Sequence, residues 1–567
     1  MKLPGATWLV WLVIALAGIA LALNGYVAAV MSQTYDEPVH LAYGRQILHG
    51  QPDRGRSFDS QMPISALNAL PTVLAERLKQ QHALPRFAAW LEAWQLTRVA
   101  SVIALLLLDL VIIRWAYALY GRPAAIAAAV LALFSPNLIA HGTLATTDVY
   151  FALGVLLSLY CVRRFLLRPT VGTALIAAAA LALAQVTKPF AIYLYPLVFV
   201  FVGLAAVYPS RTAPKLSRRA AVWFVFAGVA CFVVVINLVY QFDRTFEPLR
   251  SYTFYSAPLV RLQEIVARTP VLWRTPVPFP HPFLQGLDLT KANEANGASY
   301  GSIYLLGTLR DARDPLFHGF KSYYAVAYLF KEAIPLQVLL VLGLLWVVAH
   351  RRLPELVRGE GLLLAAAAAL GVWLSFFDKA QIGIRHLLPA LAAAVVIASA
   401  PFADWPAFRR RRKVALGLFG VWLCVSTLSY YPHLIPYMNE LVPDRRFGYK
   451  ILADSNLDWG QNERWVRRFL AENPDVVLDP GEPICGRVLM SANYLVGVEP
   501  RFRGRPSWAL RYTPVGHVAY AHLLFRIPGG GDTRNRREPC IPALPVSASA
   551  ASPRAVPLAT PAGPGTP

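Results

Sequence analysis

Apolar runs separated by short polar stretches set the pattern of this chain from its N-terminus to about residue 431. Eleven runs are read as helices crossing roughly 30 Å of hydrocarbon. They lie near 7–30, 97–119, 123–140, 145–166, 171–187, 189–208, 220–240, 333–350, 361–377, 386–403 and 413–431. The first is too long for the apolar part of a signal peptide and is followed by no obvious small-residue cleavage site, so it reads as an uncleaved span. Beyond 431, "NERWVRRFLAEN" has helical spacing and "HVAYAHLLFRI" alternates like a strand. These predict a small soluble α/β domain over 432–528. The Gly-, Ala- and Pro-rich stretch 529–567 cannot bury enough surface to fold and is expected to be a disordered tail. The predicted fold is therefore a polytopic α-helical membrane protein, residues 1–431 with long outer loops at 31–96 and 241–332, followed by the α/β domain.

Charge orients this pattern. Of the 567 residues 56% are hydrophobic and 15% charged, with a formal net charge of +22. In a membrane protein such an excess of Lys and Arg reports topology and anionic headgroups before nucleic acid, which is set aside as a partner. With the N-terminus inside, every basic cluster falls in an inner connection: Arg122; Arg163, Arg164 and Arg168; Arg211 to Arg219; Arg351, Arg352 and Arg358; Arg409 to Lys413. The acidic and mixed motifs collect on the opposite face. Three of the five cysteines, Cys161, Cys231 and Cys424, sit within apolar runs as packing residues. Cys485 and Cys540 lie in the polar C-terminal part, where a disulfide and two separate thiols both fit.

The outer face holds the candidate chemistry. In "SQTYDEPVHLAYG" Asp36 and Glu37 follow the first span, with Pro38 suited to a first helical turn, so each acid alone is explained by helix capping. Glu37 and His40 share a helix face at the spacing of metal-binding pairs. No second pair of that kind is visible, so a divalent cation is left unassigned. Asp148 in "LATTDVYFALG" also fits a capped first turn, with Thr146 or Thr147 as cap. Capping does not explain why both acids share a membrane level with Lys188 of "QVTKPF" and with Lys379, Arg385 and His386 of "FDKAQIGIRHLLP". Cations that hold a lipid phosphate beside carboxylates that take a proton suit transfer of a sugar from a lipid carrier. No P-loop and no GxGxxG in a strand-turn-helix setting offers a nucleotide cradle.

Six stretches, "YDEPVHLAYG", "TTDVYFALG", "TKPFAIYLYP", "YYAVAYLFKEAIPLQ", "IRHLLPAL" and "ADSNLDWGQN", occur in an order that resembles the phospholipid-carrier-dependent membrane glycosyltransferases of the GT-C fold, related to protein O-mannosyltransferases and to the aminoarabinose transferase of lipid A. The resemblance covers roughly residues 7–470. It implies Asp36 as general base beside Glu37, Asp148 as a second functional acid, and Lys188 and Arg385, with His386 adjacent, at the donor phosphate. His40 and Lys379 would support them. It also implies a polyprenyl-phosphate-linked monosaccharide donor, inversion at the anomeric carbon, a lipid, glycan or protein acceptor, and an active site on the periplasmic face of the inner membrane. Amphipathic stretches in 60–96 and 318–332 would lie along the outer leaflet. Asp454, Asn456, Asp458, Trp459 and Gln461 of "DSNLDWGQ" fit either sugar contacts or a turn and cap, the second being favoured. Two other classes stay open: a flippase or transporter of sugar-lipids, for which Asp109 is the one acid placed well inside a span, and a ligase that moves a whole glycan from a lipid diphosphate.

Overall fold

The computed structural model describes residues 6–53, 61–210, 213–297, 300–499, 505–528 and 541–542. Each of the eleven apolar runs folds as helix. Among the described residues five helices are long and apolar enough to cross a membrane, or seven if two bent pairs count as one span each. Apart from the first run, whose helix Ala6–Val30 has 25 residues, the difference from eleven has physical causes. Val171–Gln185 and Glu360–Phe376 have 15 and 17 residues, about 23 and 26 Å at 1.5 Å per residue. Arg410–Leu428 opens on four basic residues, which shortens its apolar part. Arg122–Leu133 and Pro136–Gly142 meet at 58°, because Pro136 has no N–H to continue the ladder. Tyr323–Lys331 and Ile334–His350 meet at 113° just before Pro335.

One hydrophobic core runs through these helices. At the end holding the basic clusters, Arg358 is buried and donates to the carbonyls of Leu166, Ala205, Tyr208 and Pro214. Arg351 pairs with Glu360 at 2.8 Å and donates to Leu119 O at 2.9 Å. These arginines satisfy carbonyls that helix C-termini leave over. The inner cations are therefore partly structural ties between helices.

The first outer loop carries helices Glu37–Leu48, Ala66–Gln80 and Pro85–Leu91. Leu67, Leu70 and Leu74 form an exposed stripe at helical spacing, with Phe87 and Trp90 exposed nearby, the pattern of helices lying along a lipid surface. The second loop carries Ala257–Ala267, His281–Asn296 and the hairpin Ser302–Leu305/Thr308–Asp311. Gly44 sits where Glu37–Leu48 meets the turn before Ala66–Gln80; a Cβ there would lie 2.4 Å from Ser65 O and 2.9 Å from Ala69 Cβ. That approach places the helix carrying Glu37 and His40.

The C-terminal region has a mixed sheet. Val476–Leu478 runs parallel to Ile484–Ser491, which pairs antiparallel with His522–Ile527 and then Gly516–Val518; Ile541–Pro542 adds to Ile484–Ser491 in parallel. The single strand read in "HVAYAHLLFRI" is a hairpin, turning at Ala519 and Tyr520 with both φ positive. Alternation in its paired strands separates two layers. Leu489 and Leu524 pack with Val466, Phe469 and Leu470 of helix Glu463–Glu472, while Val488, Met490, Leu523 and Phe525 join the core shared with the membrane helices. The sheet is thus continuous with the helical body. Cys485 is disulfide-bonded; Cys540 and the tail 529–567, apart from 541–542, lie outside the described residues.

Replacing Gly44 by Ala is expected to destabilise the fold by about 1–3 kcal/mol. Gly25→Ala, with nothing within 4 Å of the added Cβ, should be neutral or stabilising by up to about 1 kcal/mol. Thermal unfolding midpoints of the purified variants check the contrast.

Candidate active site

The chain leaves the first membrane helix at Val30 and is at once tied to the distant 459–461 turn. Ser32 N–H donates to Gln461 O and Tyr35 N–H to Trp459 O, both at 2.9 Å. Asp36 then stands at the N-cap position of Glu37–Leu48, yet its side chain makes no capping bond. Its Oδ2 instead accepts from Arg385 Nη1 at 2.9 Å. This removes the capping explanation for Asp36. The carboxylate is 30% exposed against 7% for Arg385, so it is the open end of the pair.

Asp148 likewise leaves its cap unused, since Thr147 makes no side-chain capping bond. Lys188 Nζ donates to Asp148 Oδ1, Thr146 Oγ1 donates to Oδ2 at 3.0 Å, and Arg385 Nη1 lies 3.8 Å from Oδ2. Arg385 is therefore shared between the two acids. Its guanidinium lies over the Trp459 ring, 3.9 Å from the centroid, which adds cation–π attraction and fixes the plane of its fork. His386 lies next to Asp148 electrostatically, and its Nδ1 is 3.3 Å from Tyr324 Oη.

Glu37 turns away from this cluster. Arg98 donates Nε to Oε1 at 2.7 Å and Nη2 to Oε2 at 2.6 Å. Thr34 N–H and Oγ1 donate to Oε2, and Ala145 N–H to Oε1. Arg98 spends its remaining donors on the carbonyls of Ala28, Met31 and Ser32. Burial pushes the Glu37 carboxyl up, but Arg98 and the other donors outweigh it and hold the group below the usual carboxylate range. The resemblance groups Glu37 with the catalytic acids; in the structure both of its oxygens are taken by Arg98, Thr34 and Ala145. For the same reason Glu37 and His40 do not form a cation-binding pair. Among the described residues no group of three or more His, Cys, Asp or Glu is gathered as a cation would need.

His40 is buried, its Nδ1 lacks a hydrogen-bond partner, and burial lowers its pKa against the raising influence of Asp36 and Asp148. Lys379 does not join the site: its nearest acceptors are the carbonyls of Asp314 at 3.3 Å and Ala312 at 3.5 Å, which makes it a tie between outer loops.

The "DSNLDWGQ" turn divides between framework and site. Gln461 bonds Trp459 N and Leu457 O within the turn, and Asn456 accepts from Ile384 N and donates to Tyr323 Oη. Ser455 Oγ donates to Ile382 O at 2.6 Å. These bonds clamp the segment bearing Arg385. Asp454 is held at φ 59° by Asn493, whose Oδ1 accepts its N–H at 2.6 Å. Burial raises its carboxyl to about 6, and Arg385 and Asp36 are among its charged neighbours. Sequence reasoning missed Arg98, which reads as an ordinary cation at a span end, and His141, a buried ring with neither nitrogen partnered, 6.3 Å from Trp459.

Breaking one side of the buried pair leaves a charge without its partner. Glu37→Gln is expected to cost about 3–5 kcal/mol, whereas Asp36→Asn, at a partly open carboxylate, should cost less than about 1 kcal/mol. Because the folded pKa of Glu37 is depressed, its contribution is present above about pH 4.3 and is lost as pH falls through the lower folded value. Unfolding midpoints across pH 3–6, roughly the range around free carboxylates, should fall in acid for the unmodified protein and less steeply for Glu37→Gln.

Residues 92–240 match the family described as dolichyl-phosphate-mannose-protein mannosyltransferase. No curated protein matches the chain at a significant level. Among solved structures the chain is similar to ArnT from Cupriavidus metallidurans bound to undecaprenyl phosphate, at 15% identity and a TM-score of 0.44, over 92% of this chain and 98% of that one. It is similar to the apo state of that protein at 16% identity and a TM-score of 0.29 over the same shares. Arabinosyltransferase EmbB from Mycobacterium smegmatis is matched at 12% identity and a TM-score of 0.35, over 75% of this chain and 32% of that one. At such overlaps no residue correspondence is drawn. The matched segment, about a quarter of the chain, contains Arg98, Asp148 and Lys188 within an apolar helical body.

Proposed function

We propose that this chain is a GT-C-type membrane glycosyltransferase that moves one monosaccharide from a polyprenyl-phosphate donor to an acceptor at the periplasmic face of the inner membrane, with Asp36 as general base. The observation that carries the proposal is the sharing of Arg385 between an open carboxylate, Asp36, and a closed one, Asp148, which is itself bound to Lys188. A donor phosphate competes for both cations. Once Arg385 turns its fork toward the phosphate, Asp36 is left with a free lone pair directed at the open side. The acceptor group gives its proton to Asp36 as its oxygen or nitrogen bonds the anomeric carbon; the bond from that carbon to the phosphate oxygen breaks, and the lipid monophosphate leaves with its added charge met by Lys188 and Arg385. Attack opposite the leaving phosphate inverts the anomeric centre.

Asp148 is 2% exposed, so in this scheme it positions Lys188 and Arg385 and touches no substrate. Asp454 and His40 set the local field around Asp36. A second group of ionisable side chains, Asp378, Glu294 and Lys291, lies beyond Lys188 and is not assigned a step. The acceptor is a glycolipid, glycan or protein, and no cofactor is assigned.

In liposomes containing a labelled polyprenyl-phosphate sugar, Asp36→Asn is expected to lower turnover by about 10²–10⁴-fold, the range for loss of a general base. Lys188→Met should instead raise the donor KM. Full transfer by a folded Asp36→Asn protein would overturn the assignment of the base, and release of a lipid diphosphate would point to a glycan ligase.

A further inference from the structure

Beside the loop that carries Asp36, on its lipid-facing flank, lies a groove that the transfer chemistry does not use. A cavity of about 270 Å³ opens between Val30, Gln33, Trp94, Gln95 and Arg464. A second, of about 160 Å³, shares Val30 and Arg464 and continues along Tyr26, Trp465 and Arg468. Val30 ends the first membrane helix, and Trp94 opens the span Trp94–Tyr120. The groove therefore sits where hydrocarbon gives way to water, the level at which Trp and Tyr gather in membrane proteins. Tyr26, Val99 and Ile103, further along the same two helices, are exposed apolar surface.

Its charges are arranged for an anion. Among the described residues no carboxylate lies within ion-pair distance of Arg464. Glu463, which also lines the groove, is answered by Arg467 on the next turn, and Arg468 is paired only with Glu472, an exposed i,i+4 contact at 2.9 Å that contributes little against a competing phosphate. The amides of Gln33 and Gln95 add hydrogen-bond donors at the same level. We infer that the groove binds an anionic phospholipid of the outer leaflet, its phosphodiester on Arg464 and Arg468, its glycerol against Gln33 and Gln95, and its acyl chains along Tyr26, Val99 and Ile103. The site is separate from the donor phosphate cluster. It is coupled to it through backbone: Arg464 N–H donates to Ser32 Oγ at 3.0 Å, and Ser32 and Tyr35 are the residues pinned to the 459–461 turn. The bound lipid braces the segment from which Asp36 projects.

Native mass spectrometry of the full chain in detergent, with phosphatidylglycerol or phosphatidylcholine added, tests the inference. The unmodified protein should retain phosphatidylglycerol preferentially, and Arg464→Ala with Arg468→Ala should lower that retention about fivefold per arginine removed. Arg464→Lys should keep most of it, and Arg411→Ala, in the basic cluster at the other end of the helices, should leave it unchanged. Elution volume and unfolding midpoint report that each variant is folded. Equal retention of the two lipids, unchanged retention in the double variant, or displacement by millimolar inorganic phosphate would overturn a phospholipid site.

Discussion

A single buried ion pair carries the outer half of the molecule. Glu37 and Arg98 are both fully enclosed, and between them they bond the end of the first apolar helix, the 32–34 segment, the start of the Trp94–Tyr120 span and the turn before Asp148. Two charges taken out of water in this way are worth keeping only if every remaining donor and acceptor is satisfied. Here each is. The arrangement converts an adjacent pair of acids into two different objects: Glu37, locked and structural, and Asp36, turned by the same helix start toward the opening.

That division sets up the electrostatics of the site. With Glu37 paired to Arg98, the charge near the opening is set by Asp36, Asp148 and Asp454 against Arg385 and Lys188. Trp459 holds the Arg385 fork in a plane from which it reaches both acids. Such a shared cation is poised for exchange, because moving it from carboxylate to phosphate swaps one anion for another without uncovering a buried charge. The proposed base is released by the substrate that needs it.

Much of the helical body was legible in the sequence because hydrocarbon imposes a simple rule: a segment that crosses it must be apolar and internally hydrogen-bonded. All eleven runs are helices for that reason. Their number as spans was not legible, since Pro136 and Pro335 bend two of them and two others are short. The C-terminal sheet was visible as alternation, but not as one layer of the main core. That depends on which face of Ile484–Ser491 meets the helices.

At the site, the sequence by itself indicated which residues are chemically able to act and, through the basic connections, raised the expectation that Asp36, Asp148, Lys188, Arg385 and His386 share one side of a membrane. Tertiary structure alone decided that Asp36 and Asp148 are not caps, that Glu37 belongs to Arg98, that Lys379 ties loops together, and that Asp454 reaches the cluster. Each of those outcomes depends on charged or polar partners from 40 to more than 400 residues away in the chain. Side chains at helix ends have both a local and a distant use, and only the packed fold chooses between them.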